Sequence, residues 1–177
     1  MVLASERDNV EILRLLCKGG ANVDVLVDIG EDGERYYVTL LMKASRAGQA
    51  GLVRELLRLG ARIEAVDEGG STALIQASVM GRFEVVKALL DAGASTEAEN
   101  KWKARPLLCS IGWGHPDVAG LLIERKANVN CQDAEGATPL HLASSTKQWE
   151  IVKLLLANGA DPKIKNKKGE PAMVQEK

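Results

Sequence analysis

The sequence Thr138-Pro139-Leu140-His141-Leu142-Ala143 opens a unit that continues through the apolar run Ile151–Leu156 and closes on Gly159-Ala160. A Thr in this place can cap the N-terminus of a helix, and a Pro suits the first helical turn. The apolar residues of the run have helical spacing, and a Gly shortly after it is typical of a left-handed helix C-cap. The unit is therefore predicted to contain a short helix followed by a longer one.

The same unit recurs along the chain. Its closing alanine is found at Ala61, Ala94, Ala127 and Ala160, each 33 residues after the previous one. The equivalent openings of the short helix are Thr39-Leu40-Leu41-Met42, Thr72-Ala73-Leu74-Ile75 and Arg105-Pro106-Leu107-Leu108. Lys126 replaces the Gly before one of these alanines, and we expect it to carry some strain because a left-handed backbone favours glycine. A regular period of this kind indicates a repeat architecture.

The intact TPLHxA motif at residues 138–143, within a 33-residue period, resembles the ankyrin-repeat family. The resemblance covers nearly the whole chain and implies an all-α repeat solenoid of stacked helix-turn-helix units with short β-hairpin fingers. Its phase predicts a single ankyrin-repeat domain over residues 1–177. The divisions are a partial N-terminal repeat 1–33, full repeats 34–66, 67–99, 100–132 and 133–165, and a partial C-terminal repeat 166–177.

Both ends of this array are short. Stacked repeats need polar caps on their outer faces. We therefore expect either that the chain is cut from a longer array, which we favour, or that the short ends serve as imperfect caps.

The first interval is longer than the others, because Gly20-Ala21 precedes Ala61 by 40 residues rather than 33. Val23, Val25, Val27 and Ile29 alternate with other residues as in a strand, and the Gly30–Gly33 segment is rich in turn formers. We predict a lengthened β-hairpin finger at about 26–38. Two interpretations stay open: a partner contact, or a loop extension that costs little entropy.

The composition excludes several classes of protein. Lys and Arg total 23 against 24 Asp and Glu, which disfavours a dedicated nucleic-acid or membrane-surface protein. The sequence holds no apolar run long enough to cross a membrane and no signal-peptide pattern. Its three cysteines are odd in number and lack CxxC spacing. We expect an intracellular protein, cytoplasmic or nuclear.

The resemblance also implies which positions face a partner, because in this family the hairpin tips and the inner helices line a concave groove. The predicted partner-binding residues are Arg35, Tyr36, Lys43 and Arg46 in repeat 34–66; Glu68, Gln76, Val79 and Met80 in 67–99; Lys101, Trp102, Cys109 and Trp113 in 100–132; and Ala134, Glu135, Leu142, Ser145 and Thr146 in 133–165.

Repeat 100–132 differs from the others in carrying Trp102 at a hairpin tip and Trp113 near the end of the inner helix. Together with Val79 and Met80 of the preceding repeat they have the composition of an interface hot spot. The alternative is that the two rings pack on each other or on the hairpin stems. Trp149, at the start of an outer helix, is predicted to belong to the core. Of Tyr36 and Tyr37, one ring should face the groove and the other pack beneath it.

No constellation of residues predicts chemistry. The resemblance gives His141 a structural role in tying neighbouring loops, and His115 follows a Gly between two helices. Cys109 and His115 lack a third ligand at suitable spacing for zinc. Gly69-Gly70-Ser71-Thr72 lacks the Lys and the spacing of a phosphate loop. We expect no catalytic residues, no cofactor and no metal.

These observations predict a non-catalytic protein–protein interaction module, an adaptor or scaffold, that binds another protein on its concave groove. The first alternative is nucleic-acid or oligonucleotide binding through Lys101–Arg105, where cations flank an aromatic ring; it is disfavoured by the balanced charge. A second basic cluster, Lys163–Lys168, is interpreted as a solvated tip. The other alternative is self-association through poorly capped ends, although a monomer is the expected state.

Overall fold

A computed structural model describes residues 10–30 and 36–173 of the chain. Within them it forms nine helices and one two-stranded sheet. The helices are α1 (Val10–Lys18), α2 (Leu40–Ala47), α3 (Ala50–Arg58), α4 (Ala73–Val79), α5 (Phe83–Asp91), α6 (Pro106–Gly112), α7 (Pro116–Glu124), α8 (Pro139–Ser145) and α9 (Trp149–Ala157). The strands are β1 (Leu26–Asp28) and β2 (Tyr37–Thr39).

From α2 onward the helices come in pairs that stack as two layers. The short helices α2, α4, α6 and α8 contact one another in succession and form the inner layer; α3, α5, α7 and α9 do the same in the outer layer. Each pair is joined by a tight turn, and a longer connection leads to the next pair. This is the predicted solenoid of helix-turn-helix units.

The core repeats with the sequence. Leu56, Leu89, Leu122 and Leu155 follow one another at 33-residue intervals on the outer helices, and all four are 0% exposed. Burying one such side chain stabilises the fold by about 1.5–3 kcal/mol relative to leaving it exposed. Trp149 is only half-buried but packs against this core.

Hydroxyl side chains start three of the four inner helices. The Oγ1 atoms of Thr39, Thr72 and Thr138 accept hydrogen bonds from backbone N–H groups three residues on, at 3.3, 3.4 and 3.4 Å. They satisfy donors that have no partner within the helix. Before α6 the same place is held by Arg105, without a side-chain cap, and Pro106 supplies the first turn instead.

Left-handed residues stand at the helix ends and in the connections between repeats, and three of those in the described residues are lysines. Lys126 has φ 66, against 87 to 89 for Gly60, Gly93 and Gly159 in the other units, so it adopts the left-handed conformation expected from the sequence. Two more left-handed lysines were not predicted: Lys103 (φ 57), in a connection between repeats, and Lys147 (φ 58), in the turn between α8 and α9. Both stand at positions where the other units have glycine.

The long first connection contains the antiparallel pair β1–β2, in which Val27 faces Val38. Val27 and Val38 are buried, whereas Leu26 is 60% exposed. The strands agree with the hairpin predicted at about 26–38, although β2 extends one residue further, to Thr39. Its tip, residues 31–35, falls outside the described residues.

Side chains link each repeat to the next. Asp24, Glu64, Glu97 and Asn130 each accept a hydrogen bond from a backbone N–H of the following unit, at 2.8–2.9 Å. Glu55 of α3 receives the guanidinium groups of both Arg14 of α1 and Arg58, at 2.8 and 2.6 Å. These two arginines lower the pKa of Glu55 to about 2.

Candidate protein-binding surface

The surface that could receive a partner lies between the inner helices and the fingertips. The described fingertips are residues 67–71, 100–104, 133–137 and 166–170. Each is closed by a backbone hydrogen bond from its first residue to the carbonyl of its fifth, at 3.0–3.2 Å. The side chain of the first residue, Asp67, Asn100, Asp133 or Asn166, accepts further N–H groups within the same tip. We call this whole surface the groove.

Trp102 and Trp113 both lie on the groove and are largely exposed. Their relative exposures are 65% and 67%, and Met80 follows with 40%. The two tryptophans line one depression of about 290 Å³, whose apolar floor includes Leu108 and Leu142. Exposed aromatic rings around a concave apolar floor form the kind of surface on which interface hot spots occur.

The Trp102 ring rests on the preceding fingertip. A Cβ atom added to Gly69 would come within 2.8 Å of the ring, so a larger residue there would require the ring to shift. The backbone N–H of Lys101 also donates to the Gly69 carbonyl at 3.0 Å. Trp102 thus packs on a neighbouring hairpin, one of the two alternatives weighed for it, while about two thirds of its surface remains open.

A second depression of about 260 Å³ adjoins the first, because Trp113 lines both. Here the Tyr36 hydroxyl donates to Asp67 Oδ2 at 2.6 Å, and Gln76 Nε2 donates to the same oxygen at 2.7 Å. Burial, followed by the bond to Asp67, raises the pKa of Tyr36 to about 12. The phenol therefore stays a donor at neutral pH and ties repeat 34–66 to the next fingertip.

Most of the predicted partner-binding residues are accessible on the groove. The exposed ones are Arg46, Glu68, Met80, Lys101, Trp102, Trp113, Glu135, Ser145 and Thr146; the half-buried ones are Tyr36, Lys43, Val79, Ala134 and Leu142. Gln76 and Cys109 were predicted to contact the partner, but they are buried, with exposures of 5% and 8%. Gln76 instead donates a hydrogen bond to Asp67. Cys109 lies in the wall that both depressions share. Arg35 lies outside the described residues.

Two features of the groove were missed in the sequence. Asp67 organises the second depression by accepting from Tyr36, Gln76 and the backbone of Ser71. The other feature is a lysine-lined depression at the fingertips, described below. A comparison of the repeats could have drawn attention to this depression, because Lys103 stands where the neighbouring units have Gly70 and Gly136.

The histidines have structural partners. His141 Nδ1 accepts from the Thr138 backbone N–H at 3.2 Å, and its Nε2 lies 3.0 Å from the carbonyl oxygen of Glu170 in the next fingertip. Since a carbonyl only accepts, Nε2 carries the proton. His115 Nε2 makes the same kind of bond to the Val79 carbonyl at 3.0 Å. Both rings tie one repeat to its neighbour.

The buried thiols are held in their neutral form. Burial raises the pKa of Cys109 to about 11 and that of Cys131 to about 12. A thiol rather than a thiolate opposes nucleophilic or metal-binding roles at neutral pH. Across residues 10–30 and 36–173, no three His, Cys, Asp or Glu side chains are grouped as metal ligands would be. Nor does any helix in those ranges have the length and apolarity needed to span a bilayer.

Comparison with known families agrees with the fold. The model of the family described as ankyrin repeats (3 copies) matches residues 1–100 and 93–166. The chain therefore belongs to the ankyrin-repeat family, whose members generally bind other proteins and are typically non-catalytic. No curated protein matches the sequence.

Proposed function

We propose that this protein is a non-catalytic interaction module, an adaptor or scaffold, that holds a partner protein on its groove. The single observation that carries the proposal is the pair Trp102 and Trp113, each about two thirds exposed beside the same apolar depression. A soluble protein carries few exposed tryptophans beyond those that its function needs, and tryptophan is enriched among residues that dominate interface energies.

The groove surrounds this apolar anchor with polar groups. Arg46 lies beyond Trp113 in the second depression, and Glu135 borders the first. Such a rim sets the register and orientation of a partner more than its affinity. The inner helices and fingertips are fixed by the repeat-to-repeat bonds, so little ordering entropy opposes binding.

Nucleic-acid binding through Lys101–Arg105 has less support. Arg105 is engaged by Glu97 and Glu99 at 2.7 and 3.0 Å, so one of the three cations of that motif is already neutralised. The free thiols Cys17, Cys109 and Cys131 suit a reducing compartment, and we place the module inside the cell.

The test is a pull-down from cell lysate with the wild type beside a Trp102→Ala, Trp113→Ala double variant. We expect at least one protein to be captured by the wild type and lost with the double variant. Equal capture by both would contradict the Trp-centred groove.

Two controls accompany the pull-down. Leu15 of α1 and Leu156 of the outer helix α9 are exposed apolar residues that line neither depression. A Leu15→Ala, Leu156→Ala variant should capture the same protein as the wild type. Thermal unfolding of all variants shows whether the loss comes from the surface or from the fold. Recovery of nucleic acid instead of protein would favour the alternative function.

A further inference from the structure

Four lysines, two from each of two fingertip regions, surround one depression. Lys101 and Lys103 from tip 100–104, together with Lys165 and Lys167 from the C-terminal tip region, line a space of about 480 Å³. The two pairs are separated by more than 60 residues in the sequence but come together because the tips stack. A hydrogen bond of 2.9 Å from the Lys167 N–H to the Glu135 carbonyl helps to fix this arrangement.

The positive charge of this lysine depression is not neutralised locally. All four lysines are exposed, and none forms an ion pair with a carboxylate of the described residues. The single acidic side chain in its lining, Asp133, has Oδ1 engaged by the N–H groups of Glu135 and Ala137, both at 2.8 Å. Four cations thus face one carboxylate, in a chain whose net charge is −1.

Lys103 holds its place against a conformational cost. Its φ of 57 is left-handed, whereas the equivalent positions of the neighbouring units are Gly70 and Gly136. A left-handed backbone costs a lysine roughly 1 kcal/mol relative to glycine. Lys126 and Lys147 have the same conformation outside the depression, so the inference rests on the charges that meet at the fingertips and not on the strain.

The lysine depression adjoins the first depression of the groove, which Trp102 and Trp113 line and which we call the tryptophan depression. Asp133 and Ala134 line both, and Trp102 is flanked in the sequence by the two lysines of its own tip. A single extended segment could therefore contact both depressions at once, with anionic groups on the lysines and an apolar side chain against Trp102 and Trp113.

We propose that the partner presents an acidic segment, with glutamate or aspartate side chains in the lysine depression and a neighbouring apolar or aromatic side chain on the tryptophans. This inference rests on the proposed function and names the chemistry of the partner. Charge complementarity decides for an anionic occupant. The site favours a polypeptide over a nucleic acid, because a polypeptide can place acidic side chains on the lysines and an apolar one beside Glu135 and the tryptophans. A nucleic acid carries a phosphate at every residue.

The test uses two synthetic polymers, the copolymer poly(Glu,Tyr) and poly(Glu), with binding measured by fluorescence anisotropy at low salt. The patch variant carries Lys101→Gln, Lys103→Gly, Lys165→Gln and Lys167→Gln. We expect it to bind both polymers roughly tenfold more weakly than the wild type, since each exposed ion pair contributes modestly and four are removed together.

A charge-matched control removes four lysines elsewhere: Lys18→Gln, Lys87→Gln, Lys126→Gly and Lys147→Gly. It should bind as the wild type does, because its net charge equals that of the patch variant while the lysine depression is intact. If both variants bind equally weakly, the loss of affinity comes from the lower net charge and not from the lysine depression, and the proposal is overturned.

Two further outcomes separate this inference from the proposed function. A Trp102→Ala, Trp113→Ala variant should lose affinity for poly(Glu,Tyr) but not for poly(Glu); if it binds both normally, the acidic contact stands and the tryptophan anchor fails. No binding of either polymer by the wild type overturns the inference alone. Tighter binding of single-stranded oligothymidylate, lost in the patch variant, would replace the acidic segment by a nucleic acid.

Discussion

Fingertips 67–71 and 100–104 share the same backbone conformation but present different residues at their surfaces. Both start with an Asx residue that accepts N–H groups of its own tip, and both place a left-handed residue fourth. In the first tip the third and fourth residues are Gly69 and Gly70; in the second they are Trp102 and Lys103. The comparison shows that the Asx residue and the left-handed backbone build the tip, while the exposed positions are free to carry an aromatic ring and a cation.

The two tips also depend on each other. The Trp102 ring occupies the space that a side chain at residue 69 would need. Tip 67–71 therefore supports the Trp102 side chain of tip 100–104. The same relation holds at the helix turns, where the His115 ring of one repeat lies over Gly81 of the preceding repeat.

The largest effect is expected from Gly81→Ala, which breaks this second contact. Gly81 has φ 63, and an added Cβ would lie 2.6 Å from His115 Cε1. We expect the free energy of unfolding to fall by about 2–4 kcal/mol, from the left-handed strain together with overpacking. Chemical denaturation measures it.

Gly114→Ala is the matched control for Gly81→Ala. Gly114 holds the equivalent turn with φ 77, but an added Cβ there meets nothing within 4 Å. Its cost should be limited to backbone strain, about 1 kcal/mol. If the two substitutions destabilise equally, the His115 contact contributes nothing.

Trp113→Ala is expected to affect binding strongly and folding little. Removing a hot-spot ring weakens binding by about 2 kcal/mol or more, whereas a side chain that is 67% exposed leaves no buried cavity when truncated. Calorimetry with a captured partner gives the first quantity and thermal unfolding the second. A large fall in Tm would instead assign Trp113 to the core.

Glu55→Gln should weaken the contact that holds α1 to the stack. Arg14 and Arg58 keep the pKa of Glu55 at about 2, below its ordinary value of 4.5. The carboxylate therefore stabilises the fold above about pH 4.5, and this contribution disappears as the pH falls towards 2. At neutral pH we expect a loss of about 1 kcal/mol in unfolding free energy.

The pH dependence distinguishes this ion pair from simple packing. Unfolding free energies should converge for the wild type and the Glu55→Gln variant as the pH falls through that range. A difference that stays constant would mean that the charge of Glu55 plays no part.

The smallest expected effect is a gain. Lys103→Gly should raise the unfolding free energy by up to about 1 kcal/mol by removing left-handed strain, while weakening the binding of an acidic polymer. Lys147→Gly, with a similar φ of 58, should give the same gain in stability without changing that binding. A loss of stability in either variant would show that the left-handed lysine does not destabilise the fold.

The periodic part of the fold could be predicted from the sequence, whereas the site could be predicted only in part. Leu56, Leu89, Leu122 and Leu155 repeat because each occupies the same place in a stack, so spacing alone reveals them. Exposed groove positions such as Trp102 and Trp113 follow from the same phase.

Contacts between repeats were not visible in that way. The bonds from Tyr36 and Gln76 to Asp67 depend on how adjacent units stack. The meeting of Lys101 with Lys167 depends on which side of each tip faces its neighbour. Neither is encoded in the apolar period, which specifies only the buried face of each helix.

The groove is tested most directly by photo-crosslinking with benzoylphenylalanine placed either at Met80, which follows inner helix α4 and is predicted to face the partner, or at Leu156, on outer helix α9. We predict that a protein from lysate is crosslinked from position 80 and not from position 156, and that the Trp102→Ala, Trp113→Ala substitutions abolish the product. Crosslinking of the same protein from position 156 alone would place the partner on the outer helices and contradict a binding function for the groove.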